Sequence, residues 1–167
     1  MGSGILKTSI AVVFFGEGIR SGVDASSKTS GSDVCWAMGH NINIQVRFVD
    51  TDALSHINNS AFAHYAEHAR IQFFQDLGGK LGHLILARLA IDFRSQVHFG
   101  SQLSVNTQVA NVGNSSIQLH QVVSASSEAL QVAAEIESVV VYFDYEENRP
   151  MRVPEELRER LENFAVV

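Results

Sequence analysis

The chain has 167 residues, enough for one domain with a sizeable core, and its 46% apolar and 18% charged residues suit an ordinary globular protein. A formal net charge of −6 argues against a nucleic-acid partner and means that any attraction for an anionic ligand has to be local. No apolar run is long enough to span a bilayer, and the single cysteine, Cys35, excludes an intramolecular disulfide and any Cys-x-x-Cys site, which fits a reducing cytoplasm.

Residues 1–39 differ from the rest. They are rich in Gly and Ser and hold one apolar run, Ile10 to Phe15. Lys7 before that run is a faint signal-peptide feature, but the run is short and no small-x-small pattern follows closely. Leu6 stands where a myristoylation signal needs Ser or Thr. Ser26 to Ser32 reads as a linker. The segment reads as a weakly ordered, non-catalytic extension or a start-site artefact, with an accessory strand at Ile10–Phe15 as the alternative. The domain proper is expected over 40–164.

From Asn41 to Val49 the pattern alternates, with Gln45, Arg47 and Val49 against Ile44, Val46 and Phe48, as in a half-buried strand. A polar turn, Asp50 to Asn58, follows. The apolar positions then fall at Phe62, Ala66, Ala69, Phe73 and Leu77, a helical stripe predicting a helix over 59–77. Ser60 or Asn59 is its expected cap, and Gly78-Gly79 ends it. His68 and Arg70 read as solvated or interface positions. Strands are expected at Leu84–Gln96, Gln102–Val112, Ser116–Ala125 and Leu130–Phe143, with Gly113-Asn114 as a hairpin signal. Val139-Val140-Val141 is continuous, as in a strand covered on both faces. Pro154 opens a short helix over 155–163. One long helix followed by strands on short connections is an α+β antiparallel arrangement.

The turn has chemical content. The first N–H groups of a helix lack partners inside it and carry the positive end of the dipole, so a carbonyl oxygen gaining charge is stabilised there. Asp52 lies a few residues upstream. A carboxylate beside such a site suits acyl transfer. Caps and turn formers explain the same residues more plainly, and on pattern alone that reading outweighs the catalytic one.

The stretch D-T-D-A-L-S-H-I-N-N-S-A-F, with the A-E-H-A-R helix behind it, resembles the thioesterase branch of the hotdog-fold superfamily around 4-hydroxybenzoyl-CoA thioesterase, whose motif reads D-x-D-x-x-G-H-V-N-N-x-x-Y. The likeness continues through G-H-L-I-L-A-R-L-A-I-D-F, V-H-F-G-S-Q-L, S-S-I-Q-L-H-Q-V-V and M-R-V-P-E-E-L-R-E-R-L, and covers about Met38 to Phe164. It implies a hotdog fold, an antiparallel sheet wrapped around one central helix. It implies an acyl-CoA thioesterase that releases free acid and coenzyme A. It also implies self-association into a homodimer or homotetramer, with active sites between protomers.

By the same resemblance Asp52 matches the catalytic carboxylate, as general base or nucleophile, and the Asn59 backbone N–H matches the oxyanion donor. His56, Ile57, Asn58 and Phe62 are the expected substrate contacts. Asp50 is the structural member of the pair. Glu67 is the runner-up catalytic residue, because some relatives place their carboxylate on the helix; an ion-pair role is its plainer reading. His64, His68, His83, His98 and His120 are scattered without a close ligand set, so no metal and no cofactor beyond the substrate's coenzyme A is expected.

Departures limit the carry-over. Ser55 replaces the motif's Gly, Gln96 stands where relatives often have Pro, and Ser101-Gln102 replaces Gly-Asp. Asn111 to Ser115 carries no basic residue, which weakens the 4-hydroxybenzoyl assignment and leaves Arg88, Arg94, Arg149 and Arg152 as phosphate candidates. A non-catalytic acyl-CoA-binding domain is the rival from another class. Regulators of that kind carry a basic helix-turn-helix segment, which residues 1–39 do not show. The His-plus-carboxylate segment of hotdog dehydratases is not found.

Overall fold

The computed structural model describes residues 39–126 and 131–166. The expected weak order of the first segment, and the accessory strand at Ile10–Phe15, lie outside the described residues. Strand β1 spans His40–Ile44, helix α1 Asn59–Asp76, β2 Leu84–Phe93, β3 Gln102–Val112, β4 Ser116–Ser126, β5 Gln131–Asp144, β6 Arg149–Pro150 and α2 Glu155–Glu162. The strands pair antiparallel in the order β1-β3-β4-β5-β2, with β6 beside β5. The α+β arrangement implied by the resemblance is present: one sheet backing one long helix.

The alternating residues on the inner face explain the packing. Leu103, Val105, Thr107 and Val109 of β3 are buried, as are Ile117, Leu119, Gln121 and Val123 of β4. From α1 the buried set includes Phe62, Ala66, Ala69, Phe73 and, at its C-cap, Leu77, the stripe read from sequence. Gly78 ends the helix at φ +68, a conformation that glycine adopts without steric cost. The helix C-terminal half and α2 enclose a second apolar cluster. There Phe73 meets Phe74 at 5.4 Å and Phe164 at 5.2 Å between ring centroids.

Four expectations are corrected. The first strand ends at Ile44 rather than Val49; Phe48–Asp50 is a tight 3-10 turn, and Phe48 and Val49 are 79% and 75% exposed. Hydrogen bonds from Asp50 N–H to the Arg47 carbonyl, and from Thr51 N–H and Oγ1 to the Phe48 carbonyl, outcompete strand pairing there. The helix cap is Asn58, one residue before the expected Asn59 or Ser60, because only its side chain reaches the Ser60 N–H. Strand β2 stops at Phe93, since the Arg94 and Ser95 N–H groups both turn to the Ala133 carbonyl. In β5, Val140 is buried but Val139 and Val141 are half-buried, so the outer face is only partly covered.

A fifth correction concerns Arg70, which is not solvated. It is buried between helix and sheet, where its Nη1 donates to Gln121 Oε1 at 3.2 Å. Desolvation pushes its pKa down, with Glu67 opposing.

Phe73 is fully buried. Phe73→Ala should therefore cost about 3–5 kcal/mol of unfolding free energy, read as a shift in the denaturant midpoint. A loss under about 1 kcal/mol would show that the second cluster does not support the fold.

Candidate active site

The segment between β1 and α1 closes on itself as a small ladder. The Asn58 N–H donates to the Asp50 carbonyl at 2.8 Å, Thr51 and Ile57 form an antiparallel bridge, and the Asp52 N–H donates to the His56 carbonyl at 2.8 Å. Asp50 thus sits opposite Asn58, at the helix cap, and Asp52 opposite His56, two rungs further out.

Asp50 anchors this ladder. Its carboxylate is only 6% exposed and accepts from Arg47 Nη2 and the Arg47 N–H, both at 2.8 Å, and from the Tyr65 hydroxyl at 3.1 Å. The Arg47 guanidinium holds the Asp50 carboxyl below its ordinary range against the opposing effect of burial. Burial, reinforced by the Asp50 charge, pushes the Tyr65 phenol up. Both groups are therefore set as carboxylate and neutral phenol at neutral pH.

Asp52 is placed differently. Its side chain is half-buried, and Oδ1 accepts the N–H groups of Leu54 at 2.8 Å and His56 at 3.0 Å. That is the turn-forming role. The other carboxylate oxygen has no hydrogen-bond partner among the described residues, so it is available to a water or an acyl carbon.

At the helix start, Asn58 Oδ1 accepts from the Ser60 N–H at 2.9 Å and the Ser60 hydroxyl at 2.8 Å. The Asn58 carbonyl takes the Ala61 N–H at 2.9 Å. The Asn59 N–H has no acceptor among the described residues. It stands at the positive end of an 18-residue helix. Ser55 adopts φ +64, the conformation a glycine in its place would take without strain.

A second loop braces the turn. The Ile57 N–H donates to the Val97 carbonyl at 2.8 Å and the Phe99 N–H to the Ser55 carbonyl at 3.3 Å. These bonds flank a non-hydrogen-bonded pair, His56 and His98, where side chains approach most closely. The two imidazoles lie 4.6 Å apart between centroids. His98, Arg47 and Tyr65 are the neighbours that sequence reasoning missed. Arg47 was findable from its i,i+3 spacing to Asp50; His98 and Tyr65 arrive from distant segments.

Ile57 is buried in the core, and Phe62 is buried against Phe93 at 5.4 Å and Tyr65 at 6.0 Å between centroids. Glu67 is on the exposed side of α1, 4.0 Å from His64, and does not join the turn residues. A surface depression of about 500 Å³ opens where β1 leaves β3, lined by Ile44, Val46, Phe99, Ser101, Leu103 and Ser126 among others. Asp52 is not on its wall. The depression marks the gap left by the early end of β1 and is no guide to the reacting atoms.

Three of the four phosphate candidates are engaged. Arg88 pairs with Glu137 at 2.9 Å, Arg94 with Glu135, and Arg152 with Glu155 at 3.4 Å. The charge of Arg149 acts on Asp144. No group of three or more metal-binding side chains is assembled among the described residues.

Comparison with known proteins bears on the family and the fold. The profile of the thioesterase-like superfamily matches residues 46–161. The chloroplastic acyl-acyl carrier protein thioesterase ATL2 of Arabidopsis thaliana is 25% identical over 132 residues, 75% of this chain and 69% of its own length. A thioesterase from Thermus thermophilus, solved with coenzyme A and Zn, is 31% identical, with a TM-score of 0.66 over 74% of this chain and 92% of its own. A 1,4-dihydroxy-2-naphthoyl-CoA thioesterase from Synechocystis shares the fold at 19% identity, with a TM-score of 0.66 over 72% of this chain and 93% of its own.

Because the folded-state pKa of Asp50 is lowered, its contribution to stability is complete above the unfolded carboxyl value of about 4 and is lost as pH falls through the folded value. Asp50→Asn should therefore be less stable than wild type at pH 7, by about 1–3 kcal/mol, and the gap should close on acidification. Parallel urea titrations at about pH 7 and about pH 3, on either side of the unfolded carboxyl value, check this. A gap that does not narrow contradicts the assignment.

Proposed function

The chain belongs to the thioesterase-like superfamily, with hotdog-fold thioesterases as its structural relatives, and is a thioester hydrolase; from that premise we propose that its substrate is an acyl-CoA, cleaved to a free acid and coenzyme A. One observation carries the assignment of the site. A carboxylate with an unengaged oxygen, Asp52, stands two rungs along the ladder from the helix cap Asn58, and the Asn59 N–H that follows the cap has no acceptor among the described residues.

The thioester carbonyl oxygen would accept from the Asn59 N–H, which stabilises the charge that develops on it. Asp52 would take the proton of an attacking water, or attack the carbonyl itself to give a mixed anhydride that water then opens. In either route the C–S bond breaks, the acyl group ends as the free acid with an oxygen from water, and the thiolate takes a proton. Only the chain's own residues and water are needed. Binding of coenzyme A by the Thermus relative supports this carrier; the naming of the Arabidopsis relatives supports an acyl carrier protein as the alternative.

The acyl group would enter beside Phe62. Asn58, Ile57 and His56 would hold the turn against it. A second copy of the chain would complete the site, as a homodimer or homotetramer. Support comes from β2, an edge strand of the sheet on which Ile85 and Leu86 are 40% and 43% exposed. We place the enzyme in the cytoplasm on its single cysteine. Among the described residues, no helix is long and apolar enough to cross a membrane.

Asp52→Asn should lower thiol release from acyl-CoA at least about a hundredfold, while Glu67→Gln stays within a fewfold of wild type. Full activity in Asp52→Asn would move the assignment to Glu67. Binding without thiol release by wild type would favour an acyl-CoA-binding domain. In sedimentation, wild type should run as a dimer or larger and Leu86→Lys should shift toward monomer; a monomeric wild type would remove the second copy from the site.

A further inference from the structure

The sheet opens at one corner. Strand β1 leaves β3 after the Ile44–Leu103 pair, and the chain then enters the 3-10 turn at Phe48–Asp50. The depression of about 500 Å³ lies in that opening, and its volume is within the range of small-molecule sites. Its walls carry free polar groups. The backbone groups of Gln45 and Val46 make no hydrogen bond among the described residues. Neither do the side-chain amides of Asn43, Gln45 and Gln102, which are exposed. Val46 and Phe99 add apolar surface beside them.

Such a cleft suits an extended ligand with amide groups. Two strands that part leave donors and acceptors without partners, and a further extended chain satisfies them as an added strand would.

The opening is tied to the turn that holds Asp52. Phe99 lines it and donates its N–H to the Ser55 carbonyl at 3.3 Å; the Ser55 N–H donates to the Asp52 carbonyl at 3.1 Å. At about 5–7 Å between the Cα atoms of residues bonded in this way, Asp52 lies within roughly 12 Å of the Phe99 wall. Phe48 meets Phe99 edge-on at 5.8 Å, and the two are 79% and 51% exposed, which gives that wall an apolar rim.

We propose that this opening binds the pantetheine arm that carries the acyl thioester, the part that coenzyme A and acyl carrier protein share. The proposal rests on the thioesterase reading of the Asp52 site. From its sulfur the arm runs through about twelve bonds and spans about 15 Å when extended, at ~1.25 Å per bond. It holds an inner and an outer amide. With the thioester at Asp52 and the Asn59 N–H, the inner amide stays near the turn. The outer amide begins about 9 Å from the sulfur and falls at the opening. There it pairs with the free backbone groups of Gln45 and Val46 and with the amides of Asn43 and Gln102, while its branched carbons lie on Val46 and Phe99. Recognition by neutral amides needs no cation, in keeping with a chain of net charge −6. The reacting atoms remain outside the depression.

The test places one acyl group on four carriers: N-acetylcysteamine, which keeps the inner amide alone, pantetheine, coenzyme A and acyl carrier protein. By thiol release, wild type should show a kcat/KM at least about tenfold higher for the pantetheine thioester than for the N-acetylcysteamine thioester. Ser101 is half-buried on the wall, and Ser101→Trp sets a large ring in the opening. It should cut that ratio at least about fivefold, through KM rather than kcat, and a ratio does not depend on how much of the enzyme is folded. Gln102→Ala, at an exposed position, should cut it at least about threefold and decides the matter where Ser101→Trp does not fold. Both variants should also lower kcat/KM for the coenzyme A and carrier-protein substrates, and the higher of the two wild-type values identifies the carrier. Similar wild-type values for the pantetheine and N-acetylcysteamine thioesters overturn the arm site alone, as does a ratio that the folded variants leave unchanged. Absence of thiol release from all four overturns the thioesterase reading, and the arm site with it.

Discussion

The candidate site depends on one buried carboxylate, Asp50, whose oxygens are both engaged. Asp50 ties the chain before the turn to the helix after it: its side chain holds Arg47 and Tyr65, and its carbonyl receives the Asn58 N–H. That clamp is the first rung of the ladder that relates Asp52 to the first turn of α1. The charge of Asp50 is tolerable in so buried a place because a guanidinium, a backbone N–H and a phenol all meet it.

Asp52 shows how a turn-forming side chain can still keep one carboxylate oxygen unengaged. Two backbone N–H groups converge on Oδ1, which orients the carboxyl and leaves the second oxygen uncommitted. The strain recorded at Ser55 fits the same picture. The turn geometry is imposed by the ladder bonds and by the brace from Val97 and Phe99, and it persists although the residue there is not glycine. The His56–His98 contact follows from the same brace, since the two residues face each other across it.

The polar set buried between helix and sheet also has a physical cause. Buried amide, hydroxyl and guanidinium groups cost free energy unless they bond one another, and Arg70, Gln121, Thr107 and the Ala66 carbonyl form a connected set. The set ties α1 to β3 and β4 through Arg70, the Ala66 carbonyl and Gln121.

The helix and strand spans were legible because periodicity and breakers are local. The stripe Phe62–Ala66–Ala69–Phe73–Leu77, the alternation in β3 and β4, and Gly78 at the helix end needed no partner to be read. The motif around Asp52 was legible for the same reason. The stop of β1 at Ile44, the cap at Asn58, the burial of Arg70 and the approach of His98 and Tyr65 were not, because each is decided by competition between groups that meet only in the folded chain. Phe48 reads as a core residue by alternation and is solvent-exposed, since a 3-10 turn held by the Arg47 and Phe48 carbonyls prevails over the sheet. The sequence by itself determined which faces are apolar and which turn holds the candidate residues. Only the tertiary structure decided which carboxylate is clamped, which keeps a free oxygen, and where the buried Arg70 finds its partner, because hydrogen-bond partners and burial belong to the folded chain alone.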